Sequence, residues 1–169
     1  MVKIGENPIL WHIMKSYEKF GFNDFVLALG YKGDYIKDYF INYHLKSSNL
    51  TVNTATGSTF VDNNPKENWN VSLINTGPDT LTGGRLLRLK GLLNETVMLT
   101  DGDGVSDLNI SELLDFHKKQ GKIATVTSVR PPARFGGMKI VNGIVKEFKE
   151  KPQIGEGSIN GGFFVFEPE

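Results

Sequence analysis

Cysteine is absent from these 169 residues, which excludes a disulfide framework and thiolate chemistry. Neither sign of charge is in excess. Lysine and arginine number 19, aspartate and glutamate 19, so no basic surplus points to nucleic acid or to an anionic membrane surface. Histidine is scarce, and His12, His44 and His117 lie too far apart for a metal-ligand motif. No apolar run approaches the ~18 residues that a membrane-spanning helix needs. The first residues lack the basic-then-apolar order of a secretory signal. Repeats, low-complexity tracts and linkers are missing as well. These absences leave a cytoplasmic, soluble protein as the expectation, with chain enough for one domain and a real core.

The most informative stretch runs from Thr96 to Val105. It begins as an apolar, β-branched-led run, the pattern of a buried strand, and breaks into Asp101-Gly102-Asp103-Gly104. A strand that runs out into two carboxylates places acid at the rim of a sheet, where ligands of open α/β sheets bind. The glycines let backbone and ligand approach closely. An aspartate there suits Mg²⁺, which takes oxygen ligands and keeps waters and substrate phosphates in its shell. A plain polar turn after a core strand has the same residues, since Asp-Gly is a common turn pair.

Around this stretch the chain alternates. Asn7 and Pro8 read as the N-cap and first position of a helix carrying Ile9, Leu10, Ile13, Met14, Tyr17 and Phe20, with Gly21 as its stop. Phe25–Leu29 reads as a strand. A helix is expected from about Asp34 to Lys46, with Tyr35, Ile36, Tyr39, Phe40 and Tyr43 as its core face. Leu50–Thr54 and Asn70–Asn75 are strand-like, and Gly57–Trp69 between them is polar and irregular. Thr76–Arg85 reads as a loop opening a helix through Leu93. Free N–H groups at such a start suit an anion. Arg85 fits either a bidentate phosphate or base contact or a solvated surface position. Ser111 is expected to cap a helix ending at Gly121, followed by a strand over Ile123–Val129. Asn142-Gly143 marks a tight hairpin, and Phe163–Phe166 is a buried strand after Asn160-Gly161-Gly162. The whole predicts a three-layer α/β/α domain with a mixed, mainly parallel, Rossmann-like sheet.

Several segments occur in the order seen in sugar-nucleotide pyrophosphorylases, the nucleotidyltransferases of nucleotide-diphospho-sugar synthesis. These are Asn7–Met14, Thr82-Gly83-Gly84-Arg85-Leu86, Gly102-Asp103-Gly104-Val105, Pro131-Pro132, Arg134-Phe135-Gly136, Glu150-Lys151-Pro152 and Ile159–Val165. The chain resembles this family over essentially its whole length, as one nucleotidyltransferase domain over residues 1–169. The Thr-Gly-Gly-Arg and Asn-Gly-Gly-Phe-Phe stretches are most similar to members that join CTP and glucose 1-phosphate into CDP-glucose and pyrophosphate. The resemblance implies Mg²⁺ held by Asp103, with Asp103 and Lys151 as the catalytic pair. It implies nucleotide contacts from Thr80, Arg85 and Gly102, and sugar-phosphate contacts from Glu150, Lys151 and Asn160. It also implies a homo-oligomer in the full-length enzyme, with no nucleic-acid or membrane partner. UTP or dTTP in place of CTP is the alternative within the family. Asp101-Gly102-Asp103 is also the Asp-x-Asp of metal-dependent glycosyltransferases, and a non-catalytic truncated subunit is a third reading.

Three features depart from the family's pattern. The glycine-rich signature loop with its opening strand and lysine is missing, the second metal-binding aspartate is missing, and Asp101 stands where the pattern has an aromatic residue. The expectation is therefore an internal fragment, incomplete at both ends and inactive by itself.

Overall fold

The computed structural model describes residues 1–62, 67–130, 137–149 and 158–168. Its elements fall into two units, Met1–Asn94 with Gly102–Ile110, and Glu95–Asp101 with Ser111–Glu169.

The first unit opens on a minimal hairpin, β1 (Lys3–Ile4) against β2 (Asn7–Pro8), turning at Gly5 with φ +62°. Helix α1 (Ile9–Glu18) follows, with Pro8 as its extended cap residue and no side-chain cap. The start lies one residue later than the sequence predicts. Pro8 is consumed by the hairpin, and Ile9 N donates to Val2 O at 2.9 Å, so backbone replaces the expected Asn7 cap. The stop is as expected: Gly21 adopts φ +88° and donates to Glu18 O at 2.8 Å. Ile13, Met14 and Tyr17 are buried, and burial pushes the Tyr17 phenol up to about 12.

Strand β3 (Asp24–Leu29) leads to α2 (Gly33–Ile41) and α3 (Tyr43–Ser47). The sequence predicts one helix here. It breaks at Asn42, whose side-chain Nδ2 donates to Asp38 O at 2.8 Å and competes with the helical backbone. The aromatic face is only partly core: Tyr39, Phe40 and Tyr43 are half-buried and in ring contact, but Tyr35 is exposed. Tyr43 Oη accepts from Trp11 Nε1 at 2.9 Å and donates to Glu67 Oε2 at 2.6 Å. Burial first, then that carboxylate, hold its phenol above the ordinary range.

Strands β4 (Asn49–Val52) and β5 (Thr59–Asp62) form a hairpin where the sequence predicts irregular chain after the first strand. Asn53 Oδ1 accepts from the N–H groups of Ala55 and Thr56 at 3.0 and 3.1 Å, an Asx turn that hydropathy does not reveal. Strand β6 (Asn70–Asn75) then pairs in parallel with β3, from Asp24↔Asn70 to Leu29↔Asn75. Helix α4 (Thr82–Leu89) completes the element series of this unit, and Thr82-Gly83-Gly84-Arg85 forms its opening turn rather than the loop before it.

The second unit contains β7 (Val97–Thr100), most of α5 (Ile110–Gln120), β8 (Ala124–Val129), β9 (Gly137–Val141), β10 (Ile144–Lys149) and β11 (Ile159–Phe166). The sheet order is β7-β11-β8, with β11 antiparallel to both neighbours. The mixed α/β character matches the expectation. The β3–β6 pair supplies its parallel part, and the other pairings among the described residues are antiparallel. Asn142 (φ +51°) and Gly143 (φ +76°) turn β9 into β10 as predicted. Helix α5 starts at Ile110, so Ser111 lies inside it and is not its cap. Ile110, Leu113 and His117 fall on one stripe and are all buried, and that burial outweighs the cap preference.

His117 is 1 % exposed. Its Nδ1 lies 2.7 Å from Thr125 Oγ1 and its Nε2 3.0 Å from Glu167 Oε1, a carboxylate that also accepts from Thr96 Oγ1. One buried ring thus ties α5 to β8 and to the residues flanking β7 and β11. His117→Ala opens a cavity at a fully buried position and removes the partner of half-buried Thr125, an expected loss of about 2–4 kcal/mol. Urea unfolding of the 169-residue chain checks it.

Among the described residues, no helix is long and apolar enough to cross a membrane.

Candidate functional site

In the first unit, the carboxyl ends of β3 and β6 are bound by side chains rather than by further strand. Thr76, fully buried, donates through both its N–H and its Oγ1 to Leu29 O, at 2.8 and 2.9 Å. Arg85 reaches back from the first turn of α4 to the same place. Its Nη1 lies within bonding distance of Leu29 O (3.1 Å), Thr76 Oγ1 (2.7 Å) and Gly77 O (3.0 Å), and Nη2 donates to Pro78 O at 3.4 Å. These acceptors, the last carbonyl of β3 and three oxygens of the turn that follows β6, converge on one point, and a guanidinium, with five donors in a planar fork, matches such a set. Arg85 is half-buried, so the reading of a solvated surface residue is set aside. Its Nε–H and second Nη2–H are not used by these four contacts.

Gly30 makes room for this arrangement. A Cβ there would stand 2.6 Å from Arg85 Nη1 and 2.7 Å from Cζ. Thr80, half-buried, accepts at Oγ1 from Arg88 Nη1 at 2.6 Å. Thr80 and Arg85, the two predicted nucleotide residues of this segment, are therefore brought to one turn, Thr76–Thr80. Gly30, Thr76, Gly77 and Arg88 escaped the sequence reading. The spacing of Arg85 and Arg88, three residues apart in a helical pattern, was the available signal.

Gly102 and Asp103 follow β7 in an exposed turn and belong to the first unit. A Cβ at Gly102 or Gly104 would meet nothing within 4 Å, so the approach to Asp103 is open. Among the described residues no group of three acidic, histidine or cysteine side chains is placed to hold a metal. A single open carboxylate still fits Mg²⁺, whose shell at phosphate sites needs only one or two carboxylates beside phosphates and water.

In the second unit, β11 bulges beside the end of β7. Its register against β8 shifts between Asn160 and Phe164. Gly161 is required by close approach, because a Cβ would stand 2.9 Å from Val129 Cγ1 and 3.1 Å from Thr127 O. Gly162 is required by its φ of +80°. Asn160 Oδ1 accepts from Gly162 N at 2.8 Å, which leaves its exposed Nδ2 as a donor. Asp101 Oδ2 lies 3.5 Å from where a Gly162 Cβ would be. The Asn-Gly-Gly signature is thus a built bulge with an amide donor and a carboxylate at its side. Glu150 and Lys151 lie outside the described residues, as do Pro131-Pro132 and Arg134-Phe135-Gly136. A cleft of about 350 Å³ lined by His117, Lys118, Gly121, Lys122, Ile123 and Glu167 contains none of the predicted site residues.

Glucose-1-phosphate cytidylyltransferases of Salmonella typhi and Salmonella typhimurium are each 48% identical to the chain over 170 residues, covering 99% of it and 66% of their own length. The chain thus spans just under two thirds of the length of these curated relatives. A crystal structure of a provisionally assigned glucose-1-phosphate thymidylyltransferase from Bacillus anthracis superposes with a TM-score of 0.60 at 16% identity, covering 99% of this chain and 62% of that one. That likeness establishes the mixed α/β fold. Residues 1–169, without interruption, match the nucleotidyl transferase family, and the chain belongs to it.

Proposed function

We propose that the whole protein containing this chain is a glucose-1-phosphate cytidylyltransferase, a cytoplasmic homo-oligomer that makes CDP-glucose and pyrophosphate from CTP and glucose 1-phosphate. The observation that carries the reading is identity of 48% along 99% of the chain to two enzymes of that name. A phosphate oxygen of the sugar phosphate attacks the α-phosphorus of the nucleotide, the α–β phosphoanhydride bond breaks, and pyrophosphate leaves. No protein nucleophile is needed, so positioning and charge neutralisation carry the catalysis.

The chain's own residues divide that work. Thr80, Arg85 and Gly102 bind the nucleotide: the turn built on Arg85 presents N–H and O–H donors, and Gly102 lets it approach the backbone. Asp103 holds Mg²⁺, which when bound neutralises charge on the reacting phosphates. Lys151 supplies a point charge to the sugar phosphate. Glu150 and Asn160 meet sugar hydroxyls, and the donor left free on Asn160 suits a hydroxyl oxygen.

The test is pyrophosphate release by the whole protein with glucose 1-phosphate and each nucleotide in turn. CTP is expected to exceed UTP and dTTP in kcat/KM by tenfold or more, which is about 1.4 kcal/mol between transition states. Equal or faster release from UTP or dTTP overturns the choice of base and leaves the reaction class standing.

A further inference from the structure

Arg85 and Arg88 leave α4 one turn apart, and Arg88 has no place in the roles above. Its Nη1 donates to Thr80 Oγ1 at 2.6 Å and also to the main-chain oxygen of Thr76. It therefore joins the first and last residues of the Thr76–Thr80 turn. Gly77, inside that turn, adopts φ +89°. A Cβ there would lie 2.8 Å from Thr80 Oγ1 and would press on Arg88 Nη1. Glycine at this point keeps the guanidinium and the hydroxyl in contact.

The contact shifts what Thr80 offers toward donation. A hydroxyl has one proton and two lone pairs. With a lone pair committed to a cationic donor, the proton is directed elsewhere, and its polarity as a donor rises. One lone pair remains, but the directed and polarised proton makes Thr80 the stronger partner for hydrogen-bond acceptors. We propose that Arg88 is a positioning residue for nucleotide binding: without touching the nucleotide, it fixes the Thr80 hydroxyl as a donor toward an acceptor atom of the triphosphate substrate. This rests on the reading that Thr80 contacts the nucleotide.

The test is a kinetic cycle in the whole protein with Arg88→Met, which keeps the apolar stem and loses every donor, Thr80→Val, and the double variant. Each single change is expected to raise KM for CTP about tenfold, the loss of one hydrogen bond. The kcat and the KM for glucose 1-phosphate are expected to stay within about threefold. The double variant is expected to be no worse than about threefold beyond either single one, because both remove the same interaction. Arg88→Lys, which restores charged donors, is expected to recover part of the defect; no recovery overturns the proposal.

If Thr80→Val raises KM for CTP and Arg88→Met does not, or if the two effects multiply, the positioning role is wrong while the nucleotide role of Thr80 stands. If Thr80→Val leaves KM for CTP unchanged, the assignment of Thr80 fails and this inference falls with it. Should Arg88→Met not fold, Arg88→Lys takes its place in the cycle, and multiplication of its effect with that of Thr80→Val overturns the proposal.

Discussion

Asp103→Ala in the whole protein is expected to lower pyrophosphate release from CTP and glucose 1-phosphate by about 10²–10³-fold or more, the scale of losing one group that stabilises transition-state charge. Asp101→Ala is expected to cost less than about tenfold on the same scale. The two carboxylates are separated by one glycine but lie in different surroundings. Asp103 is exposed, has glycine on either side, and has no hydrogen bond or ion pair with any described residue. Asp101 closes β7 and sits beside the Gly162 bulge. Steady-state kinetics over a Mg²⁺ titration measure the difference. An Asp103→Ala enzyme that recovers at high Mg²⁺ supports a ligand role. Equal losses in both variants would mark an Asp-x-Asp pair acting together and would favour a glycosyltransferase-type metal site.

Arg85→Ala is expected to destabilise the 169-residue chain by about 2–4 kcal/mol, a value reduced from the sum of its hydrogen bonds because the side chain is only half-buried. It removes a single cation from Leu29 O, Thr76 Oγ1, Gly77 O and Pro78 O at the ends of two parallel strands. At this chain length that corresponds to a fall in Tm of roughly 5–15 °C. Gly30→Ala is expected to reproduce most of the effect without touching Arg85 in sequence. The added methyl would stand 2.7 Å from the guanidinium carbon and displace it. The double variant is expected to be little worse than either single one, since both break the same contact. Arg85→Lys is not expected to rescue, because an ammonium lacks the planar fork. Thermal and urea unfolding of the parent and the four variants decide it. A Gly30→Ala protein as stable as the parent would show that the guanidinium does not need its position against the backbone.

Sequence by itself determined what depends on neighbours a few residues away. The apolar runs of β3, β6, β7 and β8 and the helical stripe of α1 were legible because burial imposes a period on consecutive residues. The stops at Gly21 and Gly121 and the Asn142-Gly143 turn were legible because positive φ, here +88°, +58°, +51° and +76°, is tolerated by few side chains. The candidate site residues were found by their resemblance to a family, which fixed positions but not partners. Short-range competition already blurred the reading, as at Asn42, Asn53 and Ser111, where a side-chain hydrogen bond or a buried stripe overrode the local preference.

Only the tertiary structure decided which groups meet across long separations. Arg85 meets Leu29 across 56 residues, Thr76 meets Leu29 across 47, and His117 meets Glu167 across 50. No periodicity connects such pairs. They form because buried carbonyls, hydroxyls and the His117 imidazole must find hydrogen-bond partners once water is excluded, and which partner is in reach depends on how strands and helices stack. The same holds for β11, which reads as a buried strand in isolation. Its place between β7 and β8, antiparallel to both, follows from backbone N–H and C=O groups on its two edges that, among the described residues, those two strands satisfy.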